Sequence, residues 1–194
     1  MRKLKEIFIA AAGKAAAEVL EVPSWTAAVE AAVRLAAEVA APVAGGRPVL
    51  AACDLAPDLW PGLDPDPGKA VAELCAGSNI ELVTSRLRER EQGVDLGLSR
   101  ALFGLAETGT LILADPDEDV RLSTMTAEIH AAVLPVSALR ADALALAPGL
   151  ENLLAEGRPV TFVTGPSRTA DIERVLTLGA HGPARLAVIL VDDA

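Results

Sequence analysis

The sequence predicts a three-layer α/β/α fold with a mostly parallel sheet, and three observations lead to this prediction. Runs such as Leu111-Ile-Leu-Ala114 and the near-continuous apolar stretch from Ala184 to Val191 are apolar on both faces of a strand. Segments of helical length separate these runs, and glycines and prolines mark the boundaries. Strands that are apolar on both faces need a covering layer on each side, which indicates a parallel sheet between helices.

Composition supports one compact domain and argues against some partners. The chain has 194 residues, of which 52% are apolar and only 3% aromatic, so leucine, valine, isoleucine and alanine must build the core. The formal net charge is −10. Phosphate groups would be repelled by such a chain, so neither nucleic acid nor an anionic membrane surface is an expected partner.

Two helices are predicted before any strand. An amphipathic pattern covers Arg2 to Leu20 and stops at Val22-Pro23. Ser24 then has the position of an N-cap, and Trp25 to Ala41 forms a second helix closed by Pro42. These features predict an N-terminal helical segment, residues 1–42, ahead of an α/β part, residues 43–194, within a single compact domain.

The rest of the chain alternates strands with helices or turns. A long Pro- and Gly-rich loop follows the first strand, and Trp60 within it is expected to pack down as an anchor. Strands are predicted at Arg47–Cys53, Ile80–Val83, Val94–Ser99, Leu111–Ala114, Ile129–Val136, Val160–Val163 and Ala184–Val191, and helices or helical turns at Lys69–Ala76, Arg86–Gln92, Arg100–Leu105, Asp117–Thr126, Ala138–Ala147 and Leu150–Ala155.

The stretch after Val160–Val163 is the first candidate site. Gly165-Pro166 breaks the buried strand, and apolar residues then recur at helical spacing up to Leu178, before Gly179. Ser167 or Thr169 would cap this helix, Arg168 adds a positive charge, and the free N–H groups of the helix start would bind an anion. The alternative is a plain strand-to-helix connection without a ligand.

The second candidate is the bend Glu107-Thr108-Gly109-Thr110, which places a carboxylate, two hydroxyls and a permissive glycine before a buried strand. Glu107 would act as a base, a nucleophile or a hydrogen-bond acceptor. The alternative is a satisfied turn in which Gly109 supplies a positive φ. Turns after the carboxyl ends of parallel strands share one edge, so the two glycine bends are expected to meet in a pocket for a small anion.

Several classes of site are not indicated. The sequence lacks a P-loop, a Gly-x-Gly-x-x-Gly fingerprint and a Gly-x-Ser-x-Gly elbow. Cys53 and Cys75 are too few for the four ligands of an iron–sulfur cluster, and each lies in an apolar context that favours a buried thiol. No stretch of about 18 uncharged apolar residues occurs, so we do not expect membrane insertion. We expect a cytoplasmic location instead.

Four segments together resemble the lactate-utilization protein C family, the LUD domain. They are Ala106-Glu-Thr-Gly-Thr-Leu-Ile-Leu113, Thr164-Gly-Pro-Ser-Arg-Thr-Ala-Asp-Ile-Glu173, Leu178-Gly-Ala-His-Gly-Pro183 and Leu186-Ala-Val-Ile-Leu190, in this order. The resemblance covers about residues 94 to 191. It implies a fold like those of ribose-5-phosphate isomerase, glucosamine-6-phosphate deaminase and CoA transferases, and an association with oxidation of L-lactate to pyruvate alongside iron–sulfur proteins.

The positions that match the family motifs are Glu107, Thr108, Gly109, Thr110, Gly165, Ser167, Arg168, Thr169, Asp171, His181 and Gly182. His181 precedes the last strand, where a histidine serves either as a structural cap or as a catalyst. One segment departs from the family, which often has Leu-Pro between an arginine and a histidine-containing strand. Here Arg121 and His130 are joined by Leu-Ser-Thr-Met-Thr-Ala-Glu-Ile, so the resemblance gives His130 no role.

Three functions follow as expectations. The favoured one is a non-redox subunit or accessory protein of an iron–sulfur lactate oxidase system, with the clusters in partner proteins and no cofactor on this chain. The second is an independent enzyme for a phosphosugar or a CoA thioester, with Glu107 or His181 as catalytic residue and Thr108 to Thr110, Gly165 and Ser167 to Thr169 around the anion. The third is a structural or regulatory module whose N-terminal helices and Trp60 loop form a homo-oligomer surface.

Overall fold

The structure is a computed structural model that describes residues 1–39, 42, 46–63, 66–115, 117–170, 176–178 and 182–193, with the backbone alone at 168–170 and 176–178. The helices are α1 (Arg2–Lys14), α2 (Trp25–Ala37), α3 (Pro67–Gly77), α4 (Glu118–Thr126) and α5 (Ala143–Ala155). The strands are β1 (Glu18–Val22), β2 (Val49–Ala51), β3 (Glu81–Val83), β4 (Val94–Arg100), β5 (Phe103–Leu105), β6 (Thr110–Ala114), β7 (Ala127–Pro135), β8 (Leu139–Arg140), β9 (Val160–Val163), β10 (Arg168–Ala170), β11 (Leu176–Leu178) and β12 (Arg185–Val191).

A six-stranded sheet, here called the main sheet, has the order β1-β12-β7-β4-β2-β3, and all its neighbours run parallel. Strand β12 shows why: Leu186, Val188 and Leu190 join the core that includes α1, whereas alternate residues join the core of α2 and α3. Helices thus cover both faces. The predicted three-layer α/β/α architecture with a mostly parallel sheet is confirmed, while the likeness to isomerase and CoA-transferase folds stays a prediction.

A second, four-stranded sheet has the order β8-β5-β6-β9, and strands β10 and β11 form an antiparallel pair. Within the four-stranded sheet, β6 runs antiparallel to both β5 and β9. Leu111 and Leu113 of β6 pack into the same core as α1, so this sheet covers one face of the main sheet together with that helix. The sequence did not predict this second sheet.

The N-terminal prediction needs a correction. Helix α1 ends at Lys14, and the chain passes through Ala16, whose φ is +62°, into β1, where the sequence had suggested a helix as far as Leu20. Val19 packs against one core, and Leu20 and Val22 against the other. Successive side chains of β1 point to opposite faces of the main sheet because β1 is a strand paired with β12, which lies far away in the sequence. Residues 1–39 therefore contribute a strand as well as two helices to the shared cores.

Two local predictions in this region are confirmed. The Oγ of Ser24 accepts a hydrogen bond from the Ala27 N–H at 3.1 Å, as an N-cap should. Trp60 is only 1% exposed and meets the ring of Trp25 edge-on at 5.9 Å. Its indole N–H donates to the carbonyl oxygen of Asp54 at 2.6 Å. Trp60 is thus an anchor of the core rather than part of an exposed association surface.

Two helical predictions around the second sheet are wrong. Phe103–Leu105, expected to be helical, is strand β5, because its pairing with β6 satisfies the backbone. The expected pair of helices from Ala138 to Ala155 is instead β8 followed by the single helix α5, with Pro148 inside it. Pro148 removes only one backbone donor from α5, so the helix can continue through it. Gly149 lies close to the Phe103 ring, and this contact packs α5 against β5.

The stretch after Val160 also differs from expectation. Strand β9 is confirmed, but it lies in the four-stranded sheet, and its Phe162 is 51% exposed. Beyond Gly165, the predicted helix is replaced by β10 and β11 in its described parts, so neither Ser167 nor Thr169 caps a helix there. In a short run, apolar residues three and four apart are compatible with a helix or a strand. Here the described segments pair as strands β10 and β11. Gly179 lies outside the described residues.

Candidate ligand-binding cleft

The two glycine bends of the sequence adjoin in space. Strands β6 and β9 pair antiparallel with Leu111 opposite Val163, which brings the start of β6 beside the end of β9. The hydroxyl oxygens of Thr110 and Thr164 are 2.7 Å apart, and those of Thr108 and Thr110 are also 2.7 Å apart. The expected reason was wrong, however, because both strands belong to the four-stranded sheet rather than to one edge of the main sheet.

The first bend is shaped by packing. Gly109 has a φ of +68°, and a Cβ at this position would lie 2.3 Å from the backbone nitrogen of Ala12 in α1. The Glu107 N–H donates to the carbonyl oxygen of Ala141 at 3.1 Å, while the Glu107 side chain is exposed. A glycine is therefore required here so that α1 can approach the turn, which is the structural alternative raised for this bend.

The second bend borders a cleft of about 240 Å³, which we call the α4–β9 cleft. One wall is the segment from Thr161 to Ser167, and Thr124 and Met125 of α4 also line it. Gly182 closes one end, where a Cβ would lie 3.3 Å from the Cβ of Ser167. The Ser167 N–H donates to the carbonyl oxygen of Pro183 at 2.9 Å, which fixes this end of the cleft.

His130 and Leu186, which are paired neighbours on β7 and β12, also line the cleft. His130 is only 2% exposed, and its Nε2 lies 2.8 Å from the hydroxyl oxygen of Ser99 on β4. Burial lowers the pKa of His130 to about 4, so the imidazole is neutral at pH 7. A neutral imidazole has one donor and one acceptor nitrogen, and the Ser99 hydroxyl can pair with Nε2 in either tautomer because it both donates and accepts.

A smaller cavity of about 50 Å³ adjoins the cleft and shares Thr124, Met125 and Thr161 with it. We call it the arginine cavity, because its charged lining residues are Asp54, Arg100, Asp115, Arg121 and Arg158. Arg100 ends β4, whereas Asp54 and Asp115 follow β2 and β6. Arg121 lies in α4, and Arg158 precedes β9. Five separate segments thus meet here.

Hydrogen bonds hold two of these arginines in place. A guanidinium nitrogen of Arg158 donates to the carbonyl oxygen of Ala114, and Nη1 of Arg121 donates to that of Asp115 at 3.3 Å. The Arg100 guanidinium lies 5.5 Å from the centre of the Trp25 ring, and burial lowers its pKa. Among the described residues, the buried Nε of Arg100 has no hydrogen-bond partner.

Asp54 and Asp115 form a carboxyl pair in this cavity. Burial, followed by the charge of Asp115 and a hydrogen bond to it, raises the pKa of Asp54 to about 6. Two adjacent carboxylates cannot both ionise easily, so the pair retains a proton at mildly acidic pH.

The structure places the predicted site residues in three groups. Gly165 and Ser167 line the α4–β9 cleft, together with Gly182. The residues from Glu107 to Thr110 adjoin it but are not among its described lining residues. Arg168 and Thr169 are described as backbone only, in β10, and Asp171 and His181 lie outside the described residues. The roles assigned to these residues therefore stay predictions.

Sequence reasoning missed His130 and the arginine cavity. Ser99 and His130 lie on β4 and β7, and only the parallel pairing of these strands shows that the two side chains meet. The arginine cavity has an even weaker signal, since its charged residues come from five segments without a shared motif. A search for polar residues within otherwise apolar strands would have found Ser99 and His130.

The two thiols are shielded. Cys75 is buried and Cys53 half-buried, and both are free. Burial raises the pKa of Cys75 to about 11 and that of Cys53 to about 12, with nearby aspartates adding to the effect at Cys53. Within the ranges that the structure describes, none of the helices combines the length and apolar character needed to cross a bilayer.

The parallel sheet, its helical layers and the lateral cleft define an α/β domain with a ligand-sized cavity beside a second sheet. A protein-family model identifies the class more closely: it matches residues 5–191 and describes the LUD domain. The chain belongs to the LUD domain family.

Individual relatives agree with this assignment. Lactate utilization protein C of Shouchella clausii is 34% identical over 113 residues, which cover 57% of this chain and 49% of the relative. Lactate utilization protein C of Bacillus licheniformis is 28% identical over 163 residues, covering 77% and 64%. The chain thus spans about half to two thirds of the length of these curated relatives.

A solved structure has the same fold. The crystal structure of a DUF162 family protein from Deinococcus radiodurans aligns with a TM-score of 0.63 over 98% of this chain and 97% of that one. The two sequences are 19% identical, so this likeness concerns the fold alone.

Proposed function

We propose that this LUD-domain protein takes part in L-lactate utilization, as a non-redox subunit or accessory protein of a cytoplasmic iron–sulfur system that oxidises lactate to pyruvate. The names of the relatives support the pathway, and the family match over residues 5–191 supports the transfer to this chain. Electron transfer is assigned to partner proteins, because two shielded cysteines cannot supply the four thiolates of a cluster.

The observation that carries the proposal is the α4–β9 cleft. It brings Gly165, Ser167 and Gly182, which match the family motifs, next to the buried and neutral His130. A volume of about 240 Å³ suits a small organic acid such as lactate or pyruvate. In this arrangement, the imidazole and the hydroxyl groups along the cleft wall orient the ligand, and the chain presents it to the redox partner.

The test is reconstitution with candidate iron–sulfur proteins. The full chain is co-expressed with them, complex formation is measured by native chromatography, and lactate-dependent reduction of a dye is followed. We expect a stable complex and a lactate-dependent rate that needs this chain. His130→Asn should lower the rate without dissolving the complex, whereas Arg34→Gln on the exposed side of α2 should change neither. Absence of both association and rate stimulation would refute the accessory role.

The second candidate is an independent enzyme acting on a phosphosugar or a CoA thioester. The cleft favours it, because a polar, partly enclosed cavity can hold a substrate without a partner protein. The described backbone after Gly165 offers no helix N-terminus for an anion, and the exposed Glu107 would have to reach its substrate from beside the cleft. Turnover of such a substrate by the isolated chain, lost in Glu107→Gln, would favour this candidate over the first.

A further inference from the structure

The arginine cavity has more arginines than aspartates among its lining residues, three against two, in a protein whose formal net charge is −10. Acidic groups outside the lining also act on these arginines: Asp58 and Asp193 on Arg100, and Glu156 at 3.9 Å from Arg158. One of the two aspartates, Asp54, has the raised pKa described above, so the negative charge of the pair is reduced further as the pH falls. The guanidinium groups in the lining, with the buried Nε of Arg100 lacking a hydrogen-bond partner among the described residues, offer donors to a small anion.

The cavity is also rigid in the places where an anion would lie. Arg158 is tied to the end of β6 through the carbonyl oxygen of Ala114, and Arg100 lies against the Trp25 ring. Guanidinium groups that are already fixed lose little conformational entropy when they bind a ligand. Thr124 and Thr161, which line both the arginine cavity and the larger cleft, add hydroxyl groups.

The carboxyl pair narrows the class of anion. A protonated carboxyl group can donate a hydrogen bond to a carboxylate, as Asp54 and Asp115 already do for each other. A doubly charged phosphate, the main form above neutral pH, would meet stronger repulsion from Asp115 and Asp58 than a singly charged carboxylate does. The small volume, about 50 Å³, likewise suits a single carboxylate group rather than a larger anion.

We propose that the arginine cavity is a subsite for the carboxylate group of a short organic acid, whose remaining atoms extend towards the α4–β9 cleft. Arg100 and Arg158 supply the positive charge, and the Asp54–Asp115 pair supplies a proton that is shared with the ligand. This subsite deepens the proposed function by naming the ligand group that is held. It rests on that proposal only for the identity of the natural acid, since carboxylate binding does not need a partner protein.

The protein contains its own optical probe for this site. Trp25 and Trp60 are the only tryptophans in the sequence. Trp25 lies beneath the Arg100 guanidinium, and Trp60 donates to the main chain of Asp54. Occupation of the cavity should therefore change the tryptophan fluorescence of the isolated chain.

The experiment titrates the full chain, without partners, with acetate, L-lactate, pyruvate and inorganic phosphate at pH 5.5 and pH 7.5. We expect a saturable change with the three carboxylates, tighter at the lower pH, and at pH 7.5, where phosphate is mainly doubly charged, a weaker response to phosphate. Arg158→Gln should reduce carboxylate affinity roughly tenfold, the equivalent of one charge-assisted contact. Arg88→Gln, a control on the exposed surface, should bind like the original chain.

Asp54→Asn separates the subsite from a merely structural cluster. The amide keeps a hydrogen-bond donor but cannot titrate, so carboxylates should still bind while their affinity loses most of its dependence on pH. Circular dichroism of both cavity variants checks that they are folded. An absent fluorescence response, equal affinity in Arg158→Gln, or phosphate binding as tightly as acetate at pH 7.5 would overturn the assignment. If carboxylates bind as expected but the reconstituted system shows no lactate oxidation that depends on this chain, the proposed function is wrong and the subsite assignment stands.

Discussion

The main sheet and the four-stranded sheet differ in how completely the strands β12 and β9 are buried. Strand β12 of the main sheet is buried from Leu186 to Val191, on both faces. Strand β9 is an edge strand of the described four-stranded sheet, and its successive residues Thr161 and Phe162, on opposite faces, are both exposed. Here the buried centre of the main sheet is called the frame, and the β9 edge of the four-stranded sheet is called the cover.

This difference locates the candidate site. The α4–β9 cleft is lined by His130 and Leu186 of the frame and by the Thr161–Ser167 segment of the cover. The frame can hold a buried histidine in one position because its packing is tight on all sides. The cover supplies accessible hydroxyl groups and main-chain atoms. The cleft thus has a buried, closely packed side and a more exposed side.

The largest predicted contrast is in the cost of truncating an apolar residue. Ile189 of β12 is completely buried, so Ile189→Ala should reduce the free energy of unfolding by about 2–5 kcal/mol. Phe162→Ala should reduce it by less than about 1 kcal/mol, because Phe162 is 51% exposed on β9. Urea unfolding followed by circular dichroism measures both. Similar costs for the two variants would contradict the division into frame and cover.

The next contrast concerns two glycines. A Cβ on Gly97 in β4 would lie 1.8 Å from the backbone oxygen of Ser123, so Gly97→Ala forces α4 away from the main sheet. A Cβ on Gly104 in β5 would meet mainly the ends of side chains, the nearest being Leu134 Cδ2 at 2.6 Å. We expect a loss of about 1–3 kcal/mol or more for Gly97→Ala and a smaller loss for Gly104→Ala.

Gly77→Ala is the matched control for these two variants, because a Cβ on this last residue of α3 has nothing within 4 Å. Its stability should be unchanged or slightly increased, since alanine restricts the unfolded chain more than glycine does. If Gly104→Ala proves more damaging than Gly97→Ala, the second sheet is packed more rigidly than the frame.

The smallest predicted effect is a pH dependence with opposing contributions. His130 has a folded-state pKa of about 4 against an ordinary 6.5, so below pH 6.5 the unfolded chain binds a proton that the folded chain refuses. Stability therefore falls as the pH falls from 6.5 to 4, by on the order of 1 kcal/mol for each pH unit. Asp54 acts in the opposite direction. Its folded-state pKa of about 6 exceeds the ordinary 3.8, so its contribution is fully present below pH 3.8 and is lost as the pH rises through 6.

Single variants separate the two contributions. Asp54→Asn should steepen the loss of stability between pH 6.5 and pH 4, and His130→Gln should flatten or reverse it. The measurement is the free energy of unfolding at each pH, in urea. A slope that is the same in all three proteins would show that neither group is responsible.

The elements that sequence predicted well are those whose signals are local. The Ser24 cap, helix α3, helix α4 and the last strand follow from capping residues and apolar runs that need no distant partner. The elements that were missed depend on pairing across the chain. Strand β1 exists because β12 lies beside it, and β5 exists because β6 does. Before such a partner is known, a run of three to five apolar residues fits a helix equally well.

The candidate site divides in the same way. The sequence made the segments around Gly165 and Gly182 candidates for the site, and the structure brings Ser167 of the first beside Gly182 of the second. The position of His130 at the cleft was not visible, because it depends on three strands that lie side by side. The arginine cavity was hidden for the same reason.

The sequence by itself determined the fold class, the two-faced burial of the central strands and the family, because hydrophobic pattern and short motifs are properties of contiguous residues. Only the tertiary structure decided which strands form the second sheet, and which polar side chains share a cavity. These properties depend on the free energy of contacts between distant segments, such as β6 with β9 and Asp54 with Asp115, and no local pattern encodes that energy.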